Sequence, residues 1–229
     1  MSVYFVTGTD TDAGKTLVTG GLLHAARRQQ RSTLGLKPIA SGSQTTPEGL
    51  RNSDALALQQ QSVPPVAYAT VNPFTFAPAI APHLAALEAG QPLKISAIVS
   101  VLRETLAQTS REFTLIEGAG GWRVPLNEQE DFADLAIALE LPVILVVGLK
   151  LGCLNHARLT AEAIRADGLV LAGWAGSIVD PAFAFNPARF AANIAHLNAK
   201  LAAPCIGIIP HLDAPNAATA APYLSLEPL

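Results

Sequence analysis

Hydrophobic residues along the chain fall into six short runs that alternate with longer helical patterns. The short runs are rich in β-branched residues, and several are apolar at successive positions, which is typical of strands buried on both faces. The predicted strands span residues 3–7, 33–38, 113–117, 143–147, 170–174 and 205–209. Buried strands that alternate with helices predict an α/β fold, in which a mostly parallel sheet is flanked by helices on both faces.

The intervals between these runs supply the predicted helices. In the last interval Phe190, Ile194 and Leu197 fall on one face, as a helix that covers a sheet requires. The predicted helices span residues 15–30, a short stretch after Asn52, and residues 80–90, 95–109, 132–140, 155–166 and 187–201. Residues 62–76 are the least regular, and we expect them to form a surface excursion of the same domain.

Composition limits the domain count and the classes of partner. A chain of 229 residues without internal repeats or a low-complexity linker predicts one domain, residues 1–229. Half of the residues are apolar and 14% are charged, which is little charge for the surface of a monomer and indicates an oligomer. A formal charge of −3 offers no strongly basic surface, so we expect no nucleic-acid partner.

The start of the chain and its two cysteines indicate a compartment. A strand-like run follows Met1 without a basic leader, and no apolar run approaches the roughly 20 residues of a membrane span. Cys153 and Cys205 lie far apart in apolar segments, which predicts free buried thiols rather than a disulfide. We therefore expect a cytoplasmic protein that does not associate with a membrane.

Residues 8–16, Gly-Thr-Asp-Thr-Asp-Ala-Gly-Lys-Thr, lie between a predicted strand and a predicted helix. Glycine lets the backbone turn its N–H groups inward, and the helix N-terminus adds partial positive charge, so the segment is typical of a phosphate-binding loop. Lys15 would neutralise phosphate oxygens, and the hydroxyl of Thr16 would coordinate Mg²⁺. Five residues rather than four separate Gly8 from Gly14, and the alternative is a turn that happens to contain Gly-Lys-Thr.

Two carboxylates are candidates for further metal ligands. Glu117 ends an apolar strand and precedes Gly118-Ala119-Gly120-Gly121, at the sheet edge where open α/β sheets bind ligands. It therefore resembles the acid that accompanies many phosphate loops. Asp54 follows Asn52 and Ser53, and its position alone leaves open whether it binds metal or caps a helix.

Lysines also lie at or just after the ends of two of the predicted strands. Lys37 lies beside Pro38 at a strand end, where a buried cation needs an anionic partner, and this makes Lys37 a candidate electrostatic catalyst. Lys150 follows another strand, just before residues 152–155, whose N–H groups at a helix start could hold a carboxylate. We expect His156 to be a structural hydrogen-bonding residue rather than a base.

Together these motifs resemble the dethiobiotin synthetases, which use ATP and CO₂ to close the ureido ring of 7,8-diaminopelargonate. The resemblance runs nearly end to end, and Lys-Pro-x-x-Ser-Gly and Arg-Asn-Ser-Asp are its most specific motifs. The blocks that carry it are residues 6–16, 37–43, 46–54, 117–122, 141–156, 171–174 and 209–210.

The resemblance assigns roles to individual residues of this chain. It implies that Lys15 and Lys37 hold the γ-phosphate and a substrate carbamate, and that Thr11 acts with them. The implied Mg²⁺ ligands are Thr16, Asp54 and Glu117. The implied nucleotide-binding residues are Asp12, Ala13, Gly14, Lys15, Thr16, Leu17, Asp54, Glu117, Gly118, Ala119, Gly120, Ser177, Pro210, His211 and Leu212. The implied substrate-binding residues are Ser41, Gly118, Gly121, Cys153 and Asn155.

The resemblance also implies a homodimer with substrate bound across the interface, so that Asn155 and the helix start at residues 152–155 would reach the carboxylate of the partner's ligand. One position departs from the family pattern. Ser177-Ile178 occupies a place where relatives often carry Asn-Asp, and one hydroxyl cannot reproduce the paired hydrogen bonds of an amide. We therefore expect weak discrimination among nucleotide bases.

Two other functions fit parts of the sequence. One is a nucleotide switch resembling the partition and septum-placing ATPases, but the loop has Thr9 and Asp10 where such proteins usually carry an additional lysine, and residues 214–229 form no amphipathic tail. The other is a related amidoligase or carboxylase that acts on another diamine or carboxylate. The motifs around Lys37 and Asp54 argue against it without excluding it.

Overall fold

The computed structural model describes residues 2–229. Six long strands and two short pairs of strands are present in this range. The strands are β1 (Ser2–Gly8), β2 (Thr33–Leu36), β3 (Ile39–Ala40), β4 (Gln44–Thr46), β5 (Gly49–Arg51), β6 (Phe74–Thr75), β7 (Phe113–Glu117), β8 (Val143–Leu149), β9 (Leu171–Ile178) and β10 (Cys205–Ile209).

The six long strands form one sheet in the order β10-β9-β8-β1-β7-β2, and every neighbouring pair is parallel. Strand β1 lies between β7 and β8, with Val6 opposite both Glu117 and Ile144. Because the strands are parallel, their carboxyl ends meet at one edge of the sheet, where open α/β sheets bind ligands. Of the short strands, β3 pairs with β6 and β4 pairs with β5.

Helices connect the strands and cover the sheet. They are α1 (Lys15–Arg28), α2 (Ser53–Gln60), α3 (Tyr68–Val71), α4 (Pro82–Glu88), α5 (Ile95–Gln108), α6 (Phe132–Ala138), α7 (Cys153–Ala166), α8 (Pro187–Leu201) and α9 (Ala217–Ala220). Two 3₁₀ turns, Pro181–Ala184 and Ala221–Tyr223, complete the regular structure of the described residues.

Apolar side chains form a core on each face of the sheet. On one face Phe5 and Trp174 pack among residues of α4 to α8, and on the other Val6 and Leu22 pack among residues of α1, α2 and α9. Strands such as β7 and β8 are buried at every position because both of their faces are covered. The predicted α/β class, with helices on both faces of a parallel sheet, is confirmed.

The predicted elements differ from the observed ones mainly at their ends. All six predicted strands belong to the central sheet, and β7, β10 and α8 have the predicted bounds. Strand β2 ends at Leu36 rather than residue 38, because Pro38 lacks the N–H that would continue the ladder. Helix α7 begins at Cys153, two residues before the predicted start, since Gly152 adopts a positive φ of 92° as its N-cap.

The prediction of a surface excursion at residues 62–76 is wrong for its second half. This segment contains α3 and β6, and Val71, Asn72 and Phe76 are buried. Its short polar and proline-containing sequence hides this burial, because the partners come from β2 and β3, which are distant in sequence.

Within the part of the chain that the structure describes, no helix is both long and apolar enough to cross a bilayer. Both cysteines are free thiols, although Cys205 is only partly buried.

A C-terminal segment covers the edge strand β10. Gly207 in β10 pairs with Leu224, and the N–H of Ser225 donates to the carbonyl of Ile206 at 2.8 Å. Gly207 has a φ of 146°, and a Cβ at this position would lie 2.0 Å from the carbonyl oxygen of Tyr223. The close approach of the two backbones therefore requires glycine.

Substitution of Gly207 by alanine should detach this segment. We expect Gly207→Ala to lower the free energy of unfolding by roughly 3 kcal/mol or more, because backbone strain and steric overlap add. The matched control is Gly90→Ala, which also has a positive φ but has nothing within 4 Å of the added carbon. It should cost only about 1–2 kcal/mol. Urea unfolding of both variants measures the difference, and equal costs would contradict the proposed close approach.

Candidate active site

The phosphate loop connects β1 to α1 at the carboxyl edge of the sheet. Gly14 is the N-cap of α1 and adopts a φ of 88°. A Cβ on Gly14 would lie 2.5 Å from Oγ of Ser177, the last residue of the buried run in β9. Gly14 is thus required both by its backbone conformation and by the side chain that packs against it.

Lys15 is the first residue of α1, and its side chain is buried. Its Nζ donates a hydrogen bond to the carbonyl of Asp10 at 3.0 Å, which folds the side chain back across the loop. Burial, followed by repulsion from Lys37, lowers the pKa of Lys15 from 10.5 to about 8. Anionic phosphates in the loop would favour the charged ammonium, so ligand binding and protonation of Lys15 support each other.

Lys37 follows β2, and its ammonium is buried between two acids. Nζ contacts Oε1 of Glu117 at 2.7 Å and Oδ2 of Asp54 at 3.1 Å, and it donates to the carbonyl of Gly118 at 3.1 Å. Burial by itself lowers the pKa of Lys37, but attraction to Glu117 and Asp54 outweighs burial and raises the pKa above its usual value. The site therefore holds a permanent positive charge in a fixed place.

Glu117 and Thr16 form the other half of this cluster. The hydroxyl of Thr16 donates to Oε1 of Glu117 at 2.7 Å, while Oε2 of Glu117 is buried and has no hydrogen-bond partner. A buried carboxylate oxygen with free lone pairs, beside a hydroxyl and a second carboxylate, fits a hard cation that takes oxygen ligands. Thr16, Asp54 and Glu117 are therefore suited to Mg²⁺, which usually binds one or two carboxylates and completes its shell with phosphates and water.

Residues 2–229 contain no group of three or more His, Cys, Asp or Glu side chains placed to hold a metal ion. The predicted set contains two carboxylates and one hydroxyl, so it needs oxygen atoms from a bound ligand.

A chain of hydrogen-bonded polar side chains links Lys37 to Asp54 and Ser41. The amide of Asn72 donates to the carbonyl of Lys37 at 2.6 Å, and Oδ1 of Asn72 accepts from the hydroxyl of Tyr68. The same Tyr68 oxygen accepts from the N–H of Asn52 at 2.8 Å. Asn52 caps α2 by accepting from the N–H of Asp54, and its amide also donates to the carbonyl of Ser41. These bonds connect Lys37, Asp54 and Ser41 through three side chains.

Sequence reasoning assigned no site role to Tyr68 and Asn72. Asn52 belongs to the Arg-Asn-Ser-Asp motif, but Tyr68 and Asn72 lie in the segment expected at the surface. Their spacing of four residues is the available signal, and it is too common to indicate a site.

A cavity of about 1020 Å³ extends along the carboxyl edge of the sheet. Most of the predicted site residues line it: Thr11, Asp12, Gly14, Lys15, Thr16, Leu17, Lys37, Ser41, Asp54, Ala119, Gly120, Ser177, Pro210, His211 and Leu212. Asn52, residues 79–82 and residues 123–125 also line it, and the sequence prediction did not include them.

Other predicted residues lie beneath or beside the cavity. Ala13 and Glu117 are buried, and the carbonyl of Gly118 is bound by Lys37. Gly121 passes close to the backbone of the phosphate loop, since a Cβ there would lie 3.6 Å from the carbonyl oxygen of Gly8. Cys153 is buried, and Asn155 is exposed at a separate depression shared with Arg158. The structure thus does not bring Cys153 or Asn155 to the cavity of its own chain.

An ion pair holds the outer side of the phosphate loop. Nζ of Lys150 contacts Oδ2 of Asp10 at 3.0 Å, and the N–H of Thr11 donates to Oδ1 of the same carboxylate. The hydrogen bond from Lys150 is the main reason that the pKa of Asp10 lies below its usual value, and the exposed imidazole of His156 contributes slightly. Lys150 therefore orients the loop through Asp10.

The burial of Lys37 between acids yields a stability prediction. Lys37→Met should lower the free energy of unfolding by about 3–5 kcal/mol, because it leaves the charge of Glu117 buried without a partner. The double variant Lys37→Met/Glu117→Gln removes that charge and should be more stable than the single variant. Lys94→Met, at an exposed position, is the matched control and should change stability by less than about 0.5 kcal/mol.

Urea unfolding of the four proteins measures these differences. A double variant that is no more stable than Lys37→Met would contradict the idea that the uncompensated carboxylate is the source of the loss.

Comparisons with known proteins agree with the observed fold. A family model described as an AAA domain matches residues 2–219. By three-dimensional structure the chain is similar to the MinD cell division protein of Aquifex aeolicus, with a TM-score of 0.59 and 12% identity over 96% of this chain and 94% of that chain. The MinC:MinD complex of the same organism gives a TM-score of 0.57 with 14% identity over 97% of this chain and 86% of that chain. At these identities the likeness shows the fold alone.

Sequence similarity is much higher to another group. The chain is 61% identical to an ATP-dependent dethiobiotin synthetase of Chromohalobacter salexigens, over 99% of this chain and 98% of the relative. It is 54% identical to the synthetase of the same name from Pseudomonas aeruginosa, over 100% of this chain and 98% of the relative. A synthetase of Cellvibrio japonicus is 54% identical over 99% of this chain and 96% of its own length. This chain belongs to the family of ATP-dependent dethiobiotin synthetases.

Proposed function

We propose that this protein makes dethiobiotin by closing a ureido ring on 7,8-diaminopelargonate with CO₂ and ATP. The observation that carries the proposal is the buried ammonium of Lys37, held by Glu117 and Asp54 beside the phosphate loop. The family of the chain supports the same reaction, because its relatives are named for it over nearly the full length.

The reaction proceeds through bonds made among the substrates. A neutral amine of the diamine attacks CO₂ and loses a proton to solvent, which gives a carbamate. A carbamate oxygen then attacks the γ-phosphorus of ATP, and ADP leaves. The second amine attacks the carbonyl carbon of this mixed anhydride, so that phosphate leaves, a proton is released and the ring closes. No residue of the protein forms a covalent bond.

The residues of this chain supply charge and position. Two anions approach each other in the phosphoryl step, so positive charge has to be in place beforehand. Lys15 and Lys37 provide it, Lys15 from the phosphate loop and Lys37 from the end of β2. Thr11 and Ser41 line the same cavity and would contact the diamine or the carbamate. The carbonyl of Ser41 is held by Asn52, which fixes its distance from Lys37.

Thr16, Asp54 and Glu117 would hold Mg²⁺. A bound Mg²⁺ would neutralise charge on the β- and γ-phosphate oxygens. Oε2 of Glu117 is the free ligand atom that supports this assignment, since it is buried and has no partner in the protein. Ser177, Pro210, His211 and Leu212, which also line the cavity, would receive the nucleotide base.

A homodimer agrees with the surface around α7. Leu151, just before α7, is 92% exposed, and Leu159, which lines the depression that contains Asn155, is 57% exposed. Large exposed apolar side chains near one another favour burial against another chain. In such a dimer Asn155 and Cys153, at the start of α7, would serve the carboxylate of the ligand in the partner. Residues 1–229 would act as one domain, and the two free thiols are in keeping with the cytoplasm.

The alternative functions have weaker support. The likeness to MinD concerns the fold, and the identity to the synthetases is far higher, so the comparisons do not favour a nucleotide switch. No observation favours a related amidoligase, and the relatives at 54–61% identity are named dethiobiotin synthetases.

Purified protein with diaminopelargonate, bicarbonate, Mg²⁺ and ATP should form dethiobiotin, detected by mass spectrometry. Lys15→Ala should form little, and Lys37→Ala should lose about 10²-fold in rate, as expected for one preorganised charge. Lys94→Ala, an exposed lysine outside the cavity, should retain the full rate. No product above the Lys15→Ala background would defeat the proposal, and a normal rate for Lys37→Ala would remove Lys37 from the mechanism.

Base selectivity depends on Ser177 in this proposal. Its hydroxyl packs against Gly14 and offers at most one donor and one acceptor to a base. We expect kcat/KM for ATP to exceed the values for GTP and CTP by only about tenfold or less, because one neutral hydrogen bond contributes little. Ser177→Asn should increase the preference for ATP while leaving the KM for the diamine unchanged. A strict preference for ATP in the unaltered protein would refute this expectation.

A further inference from the structure

Arg123 is a cation in the catalytic cavity that the proposed reaction does not use. It lies in the segment after β7 and lines the same cavity as Lys15 and Lys37, and 49% of its side chain is exposed. It also lies beyond the residues that the sequence resemblance implies for nucleotide and substrate.

The guanidinium of Arg123 is held in place by Asp167. Its Nη2 contacts Oδ1 of Asp167 at 2.7 Å, and Oδ2 of Asp167 accepts from the indole N–H of Trp122 at 2.7 Å. Trp122 is 3% exposed and packs edge-on against Phe5, so this anchor is part of the core. Asp167 engages one of the five N–H donors of the guanidinium, and the others are left for a second partner.

An apolar wall accompanies Arg123 in the cavity. Val124 and Pro125 follow it in sequence, and residues 79–82, Ala-Ile-Ala-Pro, line the same cavity. The polar groups Lys37, Ser41 and Thr11 line it as well. A molecule with a polar reactive head, an aliphatic chain and an anionic end would match this combination of surfaces.

We propose that Arg123 binds the tail carboxylate of the diamino acid and thereby selects a substrate with an acidic end. The inference rests on the proposed function, which supplies a substrate with two amines at one end and a carboxylate at the other. A planar guanidinium matches a carboxylate with two parallel hydrogen bonds, and an orientation fixed by Asp167 reduces the entropy lost on binding. Arg123 acts in addition to the helix start of the partner subunit, because a carboxylate accepts about four hydrogen bonds.

The test compares an acidic substrate with a neutral one. Arg123→Gln keeps a donor for Asp167 but removes the charge, and it should raise the KM for diaminopelargonate roughly 10- to 100-fold, as expected for loss of a charge-assisted hydrogen bond. The KM for ATP and the kcat should change less than about twofold, because the tail binds equally well in the ground state and in the transition state. For the methyl ester of the substrate, the same substitution should change KM by less than about twofold.

Two further variants distinguish the charge from loop structure. Arg123→Lys retains a positive charge and should recover part of the affinity for the acid. Arg189→Gln, an exposed arginine of α8 outside the cavity, should leave all constants unchanged. An equal loss for acid and ester would overturn the inference, since it would show that Arg123 only shapes the loop. An unchanged KM for the acid would overturn it as well. Failure of the unaltered protein to form dethiobiotin would instead defeat the proposed function, and the inference with it.

Discussion

The contact between the ammonium of Lys37 and the carboxylates of Glu117 and Asp54 is the interaction on which the site depends. Lys37 is 3% exposed and Glu117 is fully buried, so each charge would be costly to bury without the other. Each therefore fixes the other. Because Lys37 follows β2, Glu117 ends β7 and Asp54 lies in the first turn of α2, one cluster joins three elements at the carboxyl edge of the sheet.

This pairing also prepares the groups for chemistry. Oε1 of Glu117 is shared by Lys37 and Thr16, whereas Oε2 is free to accept a further positive partner. The cluster can thus add a cation without giving up the contacts that hold it together. Electrostatic catalysis needs charges that are already oriented before the reaction begins, and the burial that makes these charges costly is also what keeps them in place.

Support for the cluster comes from outside the recognisable motifs. Asn72 and Tyr68 reach Lys37 and Asn52 from a segment that contains only one turn of helix and a two-residue strand. Asp167, at the end of α7, holds Trp122 and Arg123, so the wall of the cavity is fixed by a helix that begins at the predicted dimer surface. Lys37 and Arg123 therefore depend on different supporting side chains.

The sequence by itself determined the fold class, the order of the elements and most of the residues that line the cavity. Apolar runs bounded by glycine and proline predict strands. The Gly-Lys-Thr loop, Lys37 and Glu117 are recognisable because each lies at or shortly after the end of such a run. Local patterns carry this information, since periodicity and turn chemistry act over a few residues. Asp54 shows the limit of such patterns, because its position alone fits both a cap and a ligand.

Only the tertiary structure decided which distant groups meet. The contacts of Lys37 with Asp54 and Glu117 span 17 and 80 residues, and Arg123 meets Asp167 across 44 residues. Such pairs depend on the order of the parallel strands, which brings their carboxyl ends to one edge, and on where the intervening helices pack. No local sequence pattern encodes either. The burial of Val71, Asn72 and Phe76 was missed for the same reason, because the elements that cover them lie elsewhere in the chain.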